Sequence, residues 1–70
     1  MPRGTIKTIV AERGYGFIRP DKEKSDIFFH LSALLDCQFE DLQVGQAVRY
    51  DQGEGRNGKP RAEAIVTLDR

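Results

Sequence analysis

Glycine and proline interrupt this chain so regularly that no stretch keeps a helical period over its full length. What lies between them reads as five short extended runs. The first, Thr5 to Ala11, is rich in β-branched residues, which suit a pleated strand. The second opens with Tyr15 bracketed by Gly14 and Gly16, continues through Phe17 and Ile18, and is stopped by Pro20. Asp21 to Ser25 is polar and reads as a hairpin loop into the third run, Asp26-Ile27-Phe28-Phe29-His30-Leu31. These three predict a meander. The fourth run, Gln46 to Gln52, follows Gly45, and the fifth, Arg61 to Leu68, follows a connection whose Asn57-Gly58 step is a strong turn signal. Between the third and fourth, Leu34, Leu35 and Leu42 behind a capping Ser32 predict no more than a short helical turn.

Seventy residues hold one domain, residues 1–70, and too few strands for an immunoglobulin sandwich. Five short strands with regular turns fit an all-β, five-stranded antiparallel OB-fold barrel with a short helical turn after strand 3. A domain this small buries only roughly 60% of its unfolded surface, so its core is thin. Apolar residues at 39% still make it too hydrophobic for a disordered tail. One cysteine, Cys37, and one histidine, His30, give neither an intramolecular disulfide nor a structural zinc site. The expectation is a loop cysteine in a reducing cytosol, with no cofactor. The chain has no apolar run of membrane-spanning length, and Met1-Pro2-Arg3-Gly4 lacks the layout of a secretion signal. This predicts a cytoplasmic protein, acting as a monomer with no membrane partner.

Strand alternation then divides the aromatic residues. Tyr15 and Phe17 project to one face of the second run while Ile18 points to the other. On the third run Asp26, Phe28 and His30 share a face, opposite Ile27, Phe29 and Leu31. One apolar face is all a core needs, and Ile18, Ile27, Phe29, Leu31, Val48, Ile65 and Leu68 are its candidates. The ring row Tyr15, Phe17, Phe28 and His30 is then left for water. Rings on a solvent-facing sheet beside cations suit unpaired bases, at about 1–3 kcal/mol per stacked base. Duplexes hide their base faces, so single-stranded RNA or DNA is the expected partner, rather than a small-molecule substrate.

Charge argues the other way. Eleven Lys and Arg balance eleven Asp and Glu, where a nucleic-acid-binding domain is usually basic. Asp36, Glu40 and Asp41 sit together, however, while Lys7, Arg13, Arg19, Arg56, Lys59 and Arg61 lie in or beside the strands, which leaves room for one basic face.

Three motifs are decoys. Gly53 to Gly58 matches the G-x-G-x-x-G pattern, but that fingerprint needs a helix after it and nothing helical follows. The same stretch to Lys59 nearly spells a phosphate-binding loop, yet Pro60 stands where a hydroxyl must hold magnesium. Asp26, His30 and Ser32 are near in sequence but do not converge in series on one reacting atom. A barrel of this size also offers little concavity to exclude water, and the chain is read as no enzyme.

Arg13-Gly14-Tyr15-Gly16-Phe17-Ile18 resembles the first ribonucleoprotein motif of the cold-shock domain family, and Ile27-Phe28-Phe29-His30-Leu31-Ser32-Ala33 resembles the second. Gly4-x-Ile6-Lys7 before them, then Phe39 and Gly45-Gln46-x-Val48 after them, extend the likeness over nearly the whole chain. RNA-recognition-motif domains place the two motifs in the opposite order and need two helices. The resemblance implies non-catalytic binding of single-stranded RNA or DNA with little sequence preference, as an RNA chaperone or gene-expression regulator. Carried over by position, the implied binding residues are Lys7, Arg13, Tyr15, Phe17, Asp26, Phe28, His30, Phe39 and Arg56. For Phe39 a second reading stands beside it, an apolar anchor packed on the barrel. For the cations the competing reading is a solvated charge.

The chain departs from the family where Thr8 replaces a tryptophan, Ile9 a large or aromatic residue, and Leu31 an aromatic. At about 1 kcal/mol each, three lost platforms predict roughly a hundredfold weaker binding. The same losses, with the neutral charge, suit a competing function: a protein-interaction module on a barrel that has shed part of its nucleic-acid platform.

Overall fold

The computed structural model describes residues 2–22, 24–55 and 59–68. Five strands are present: β1 (Arg3–Val10), β2 (Tyr15–Pro20), β3 (Ile27–His30), β4 (Ala47–Glu54) and β5 (Pro60–Thr67). They close into a barrel in the order β1-β2-β3-β5-β4. β1, β2 and β3 form the expected antiparallel meander. β4 pairs antiparallel with β5 and with β1, and the barrel is completed by a parallel pairing of β3 with β5. Closure removes the free edges that a small sheet would otherwise present to other chains. No helix among the described residues is long and apolar enough to cross a membrane.

The core comprises Ile6, Ile18, Ile27, Phe29, Ala33, Leu42, Val48, Tyr50, Ala62 and Ile65. In β2, β3 and β4 it draws on alternate side chains, as the pleat requires, while in β5 Ala62 and Ile65 are three apart across an irregularity in the pairing with β4. Tyr50 was not among the sequence candidates. Two candidates belong elsewhere. Leu31 is 44% exposed, because β3 ends at His30 and Leu31 opens a 3-10 turn, Leu31–Ala33, where alternation no longer applies. Leu68 lies just past the end of β5 and is half-buried.

The stretch between β3 and β4 holds two single 3-10 turns, Leu31–Ala33 and Phe39–Asp41. The first is capped by His30, whose Nδ1 accepts the Ser32 N–H at 3.2 Å, so the cap stands two residues before the expected Ser32. This stretch is tied to β5: the Leu35 N–H donates to the Ile65 carbonyl at 3.0 Å, and the Asp36 carboxylate accepts both the N–H and the hydroxyl of Thr67.

The two glycines that flank Tyr15 are required by geometry. Gly14 has a φ of +76° at the turn into β2, and its N–H donates back to the Val10 carbonyl. At Gly16 a Cβ would stand 2.9 Å from the Phe29 ring, so Phe29 reaches the barrel interior only because position 16 is bare.

Candidate nucleic-acid interface

Phe17 pairs directly with Phe28 across β2 and β3, and Tyr15 pairs with His30. This register brings three rings into one cluster on the outer face. The Tyr15 and Phe28 centroids are 5.4 Å apart with planes tilted by 39°. Phe17 stands edge-on to both, at 6.0 Å and interplanar angles of 89° and 72°. The three are half-buried and in contact with one another, and His30 beside them is exposed. With Nδ1 accepting from Ser32, a neutral His30 ring carries its proton on Nε2 and has one donor left to offer.

β1 contributes differently from its alternation. Ile6 pairs with Ile18 and Thr8 with Phe17, so Lys7 is the extra residue of a β-bulge. Lys7 and Thr8 are consequently both exposed, on the face of the ring cluster. Thr8 is the cross-strand neighbour of Phe17 and gives it a small polar side chain in place of a ring. Ile9 pairs with Gly16 and packs against the core. Of the three departures Thr8, Ile9 and Leu31, only Thr8 and Leu31 are exposed.

The cations are unevenly free. Lys7 Nζ lies 2.9 Å from Asp26 Oδ2, with the two side chains 48% and 30% exposed, so each neutralises the other beside the rings. Arg13 is exposed in the turn before β2, next to Tyr15. Arg56 and the Asn57-Gly58 turn fall outside the described residues. Phe39 is half-buried against the core, its ring centroid 6.5 Å from that of Phe29, a contact that suits the anchoring reading. Cys37 packs there too; burial pushes its thiol up, and the neighbouring Asp36 and Asp41 carboxylates add to the shift.

Sequence reasoning missed one part of the surface. An open groove of about 440 Å³ is lined by Phe17, Phe28, Gly55, Lys59, Pro60 and Arg61. It exists because β5 runs parallel to β3 with Arg61 paired to Phe28. No local pattern signals a contact between residues thirty-three positions apart, although the charge of Lys59 and Arg61 was visible. Gly53 and Glu54 end β4, and the next element among the described residues is strand β5, not a helix.

The comparisons with known proteins agree with this geometry. The family model described as the 'Cold-shock' DNA-binding domain matches residues 2–68. Over 68 residues the chain is 41% identical to the cold shock protein CspA of Staphylococcus aureus and 35% identical to the probable cold shock protein A of Mycolicibacterium smegmatis. In both cases 97% of this chain and 100% of the relative are covered. Among solved structures, drosophila Unr CSD456 superposes with a TM-score of 0.80 at 24% identity, covering 97% of this chain and 26% of that one, a likeness of fold. With a barrel of this strand order, an outward ring cluster and a family match over nearly its full length, the chain belongs to the cold-shock domain family of non-catalytic, nucleic-acid-binding proteins.

Proposed function

We propose that this chain binds single-stranded RNA or DNA on the outer face of β2 and β3, as a cytoplasmic monomer that acts as an RNA chaperone or gene-expression regulator. The observation that carries the reading is the ring cluster: Tyr15, Phe17 and Phe28 touch one another outside a core that is already complete without them. Bases stack on these rings, and the single free donor of His30 serves a base edge or a phosphate. Arg13 and Arg56 contact phosphates, and Lys7 does so to the extent that it leaves Asp26. Phe39 serves as the anchor of its loop. With rings missing at Thr8 and Leu31, about 1 kcal/mol each, affinity is about thirtyfold below that of a full-platform relative.

Titration with dT and rU heptamers, followed by tyrosine emission, tests the reading. There is no tryptophan, and of the two tyrosines Tyr15 belongs to the cluster while Tyr50 is buried in the core. Phe17→Ala is expected to weaken binding by about 5- to 150-fold, the equivalent of one lost stacking platform, without loss of the fold. Tight binding undiminished by Phe17→Ala and by Phe28→Ala would instead favour the protein-interaction module, which the Lys7–Asp26 neutralisation also suits.

A further inference from the structure

The groove beside Phe28 has the parts of a nucleotide subsite. One wall is aromatic, Phe17 and Phe28; the other is β5, entering with Lys59, Pro60 and Arg61. Lys59, just before β5, and Arg61, within it, both line the groove and both are exposed. The Gly55 N–H donates to the Lys59 carbonyl at 2.6 Å, closing the base of the groove. A Cβ at Gly55 would stand 3.2 Å from Cδ of Arg61, so the arginine stem lies across a glycine that leaves it room.

Among the described residues no acid lines the groove. Glu63, the next outward residue of β5, lies over Gly53 on β4, in space that a Cβ there would occupy. Among the described residues, neither Lys59 nor Arg61 forms an ion pair. On the opposite flank of the rings the balance is reversed: Thr8 has no ring to offer and Lys7 is held by Asp26.

We propose that Lys59 and Arg61 are phosphate-binding residues of this chain, and that the bound single strand crosses from Phe17 and Phe28 onto β5. A base stacks on Phe28, and the phosphates on either side of it are taken by the two cations, Arg61 with a planar fork suited to paired phosphate oxygens. The inference rests on the single-strand-binding reading above and names residues outside the family-matched set.

A salt series separates the two claims. For single strands, the log–log slope of affinity against salt changes by about 0.7 per neutralised phosphate. Arg61→Gln and Lys59→Gln are each expected to flatten the slope for a dT heptamer by about 0.7 and to lower affinity at 50 mM salt by about eightfold. Arg49→Gln, an exposed cation on β4 paired with Arg3 of β1, is expected to leave both unchanged. Thermal melts of each variant confirm that the barrel is intact. Wild-type slopes retained in both β5 variants, with normal binding by the wild type, overturn this inference alone. A wild-type chain that binds neither a dT nor an rU heptamer overturns it together with the function it rests on.

Discussion

Phe28 and Phe29 are neighbours with the same side chain, and the barrel assigns them opposite work. Phe29 is 0% exposed, filling the space that Gly16 leaves and touching Phe39 across the top of the core. Phe28 is half-buried among Tyr15 and Phe17 on the outside, with Arg61 as its partner on β5. Neither position was chosen by chemistry of the residue; the pleat sends successive side chains to opposite faces, and what waits on each face decides the role. The pair therefore separates what holds this domain together from what the domain presents to a ligand.

The largest expected effect comes from breaking the inner member. Phe29→Ala removes a fully buried ring from a core of ten buried side chains, at a cost of about 3–5 kcal/mol. Small domains have stabilities of that order. A thermal or urea melt is expected to show a chain largely unfolded at 25 °C, with binding lost along with it. Phe28→Ala is expected to do the reverse: a cooperative melt close to that of the wild type and binding weaker by about 5- to 150-fold. If the two variants lose stability equally, the outer cluster is part of the core and the division drawn here is wrong.

The comparison is sharpened by rebuilding the platform where it is thinnest. Thr8 is exposed and stands opposite Phe17, so Thr8→Trp adds a ring to the edge of the cluster without entering the barrel. Tighter binding by about fivefold or more is expected, with quenching of the new indole emission on addition of rU heptamer. Unchanged affinity would place the bound strand wholly on the β3–β5 side.

How these roles were or were not legible follows from the range of the interactions involved. The five strands, the single short turn region after β3 and the split between Phe28 and Phe29 were readable because each depends on neighbours in sequence: alternation, and punctuation by Gly14, Gly45 and Pro20. Leu31 was misread as core because the rule was extended one residue too far, past the point where His30 caps a 3-10 turn. The exposure of both Lys7 and Thr8 was hidden in a bulge, which is a property of how β1 pairs with β2 and leaves no mark in β1 alone. Tyr50 has a hydroxyl and an aromatic face and gives no local sign of which will win; the barrel buries it. The groove on β5 was the least accessible, since it needs the parallel closure of β3 on β5, a pairing across thirty-three positions between strands that are not consecutive in the chain.

The smallest expected effect concerns Asp26, which shares the outer face of β3 with Phe28 and His30 and yet carries the wrong sign for a phosphate site. Its carboxylate holds Lys7 at 2.9 Å, and both partners remain substantially exposed, so the pair contributes no more than about 1 kcal/mol to the fold. Asp26→Asn keeps the shape, removes a negative charge from beside the rings and releases Lys7 to the solvent side of the bulge. Stability is expected to change little, while affinity for a dT heptamer at about 100 mM salt rises by no more than about fivefold, with a salt slope steeper by about 0.7 as Lys7 gains a phosphate. A fall in affinity at every salt concentration would carry the opposite meaning: the carboxylate accepts a hydrogen bond from a base, and the bound strand reaches back over β1.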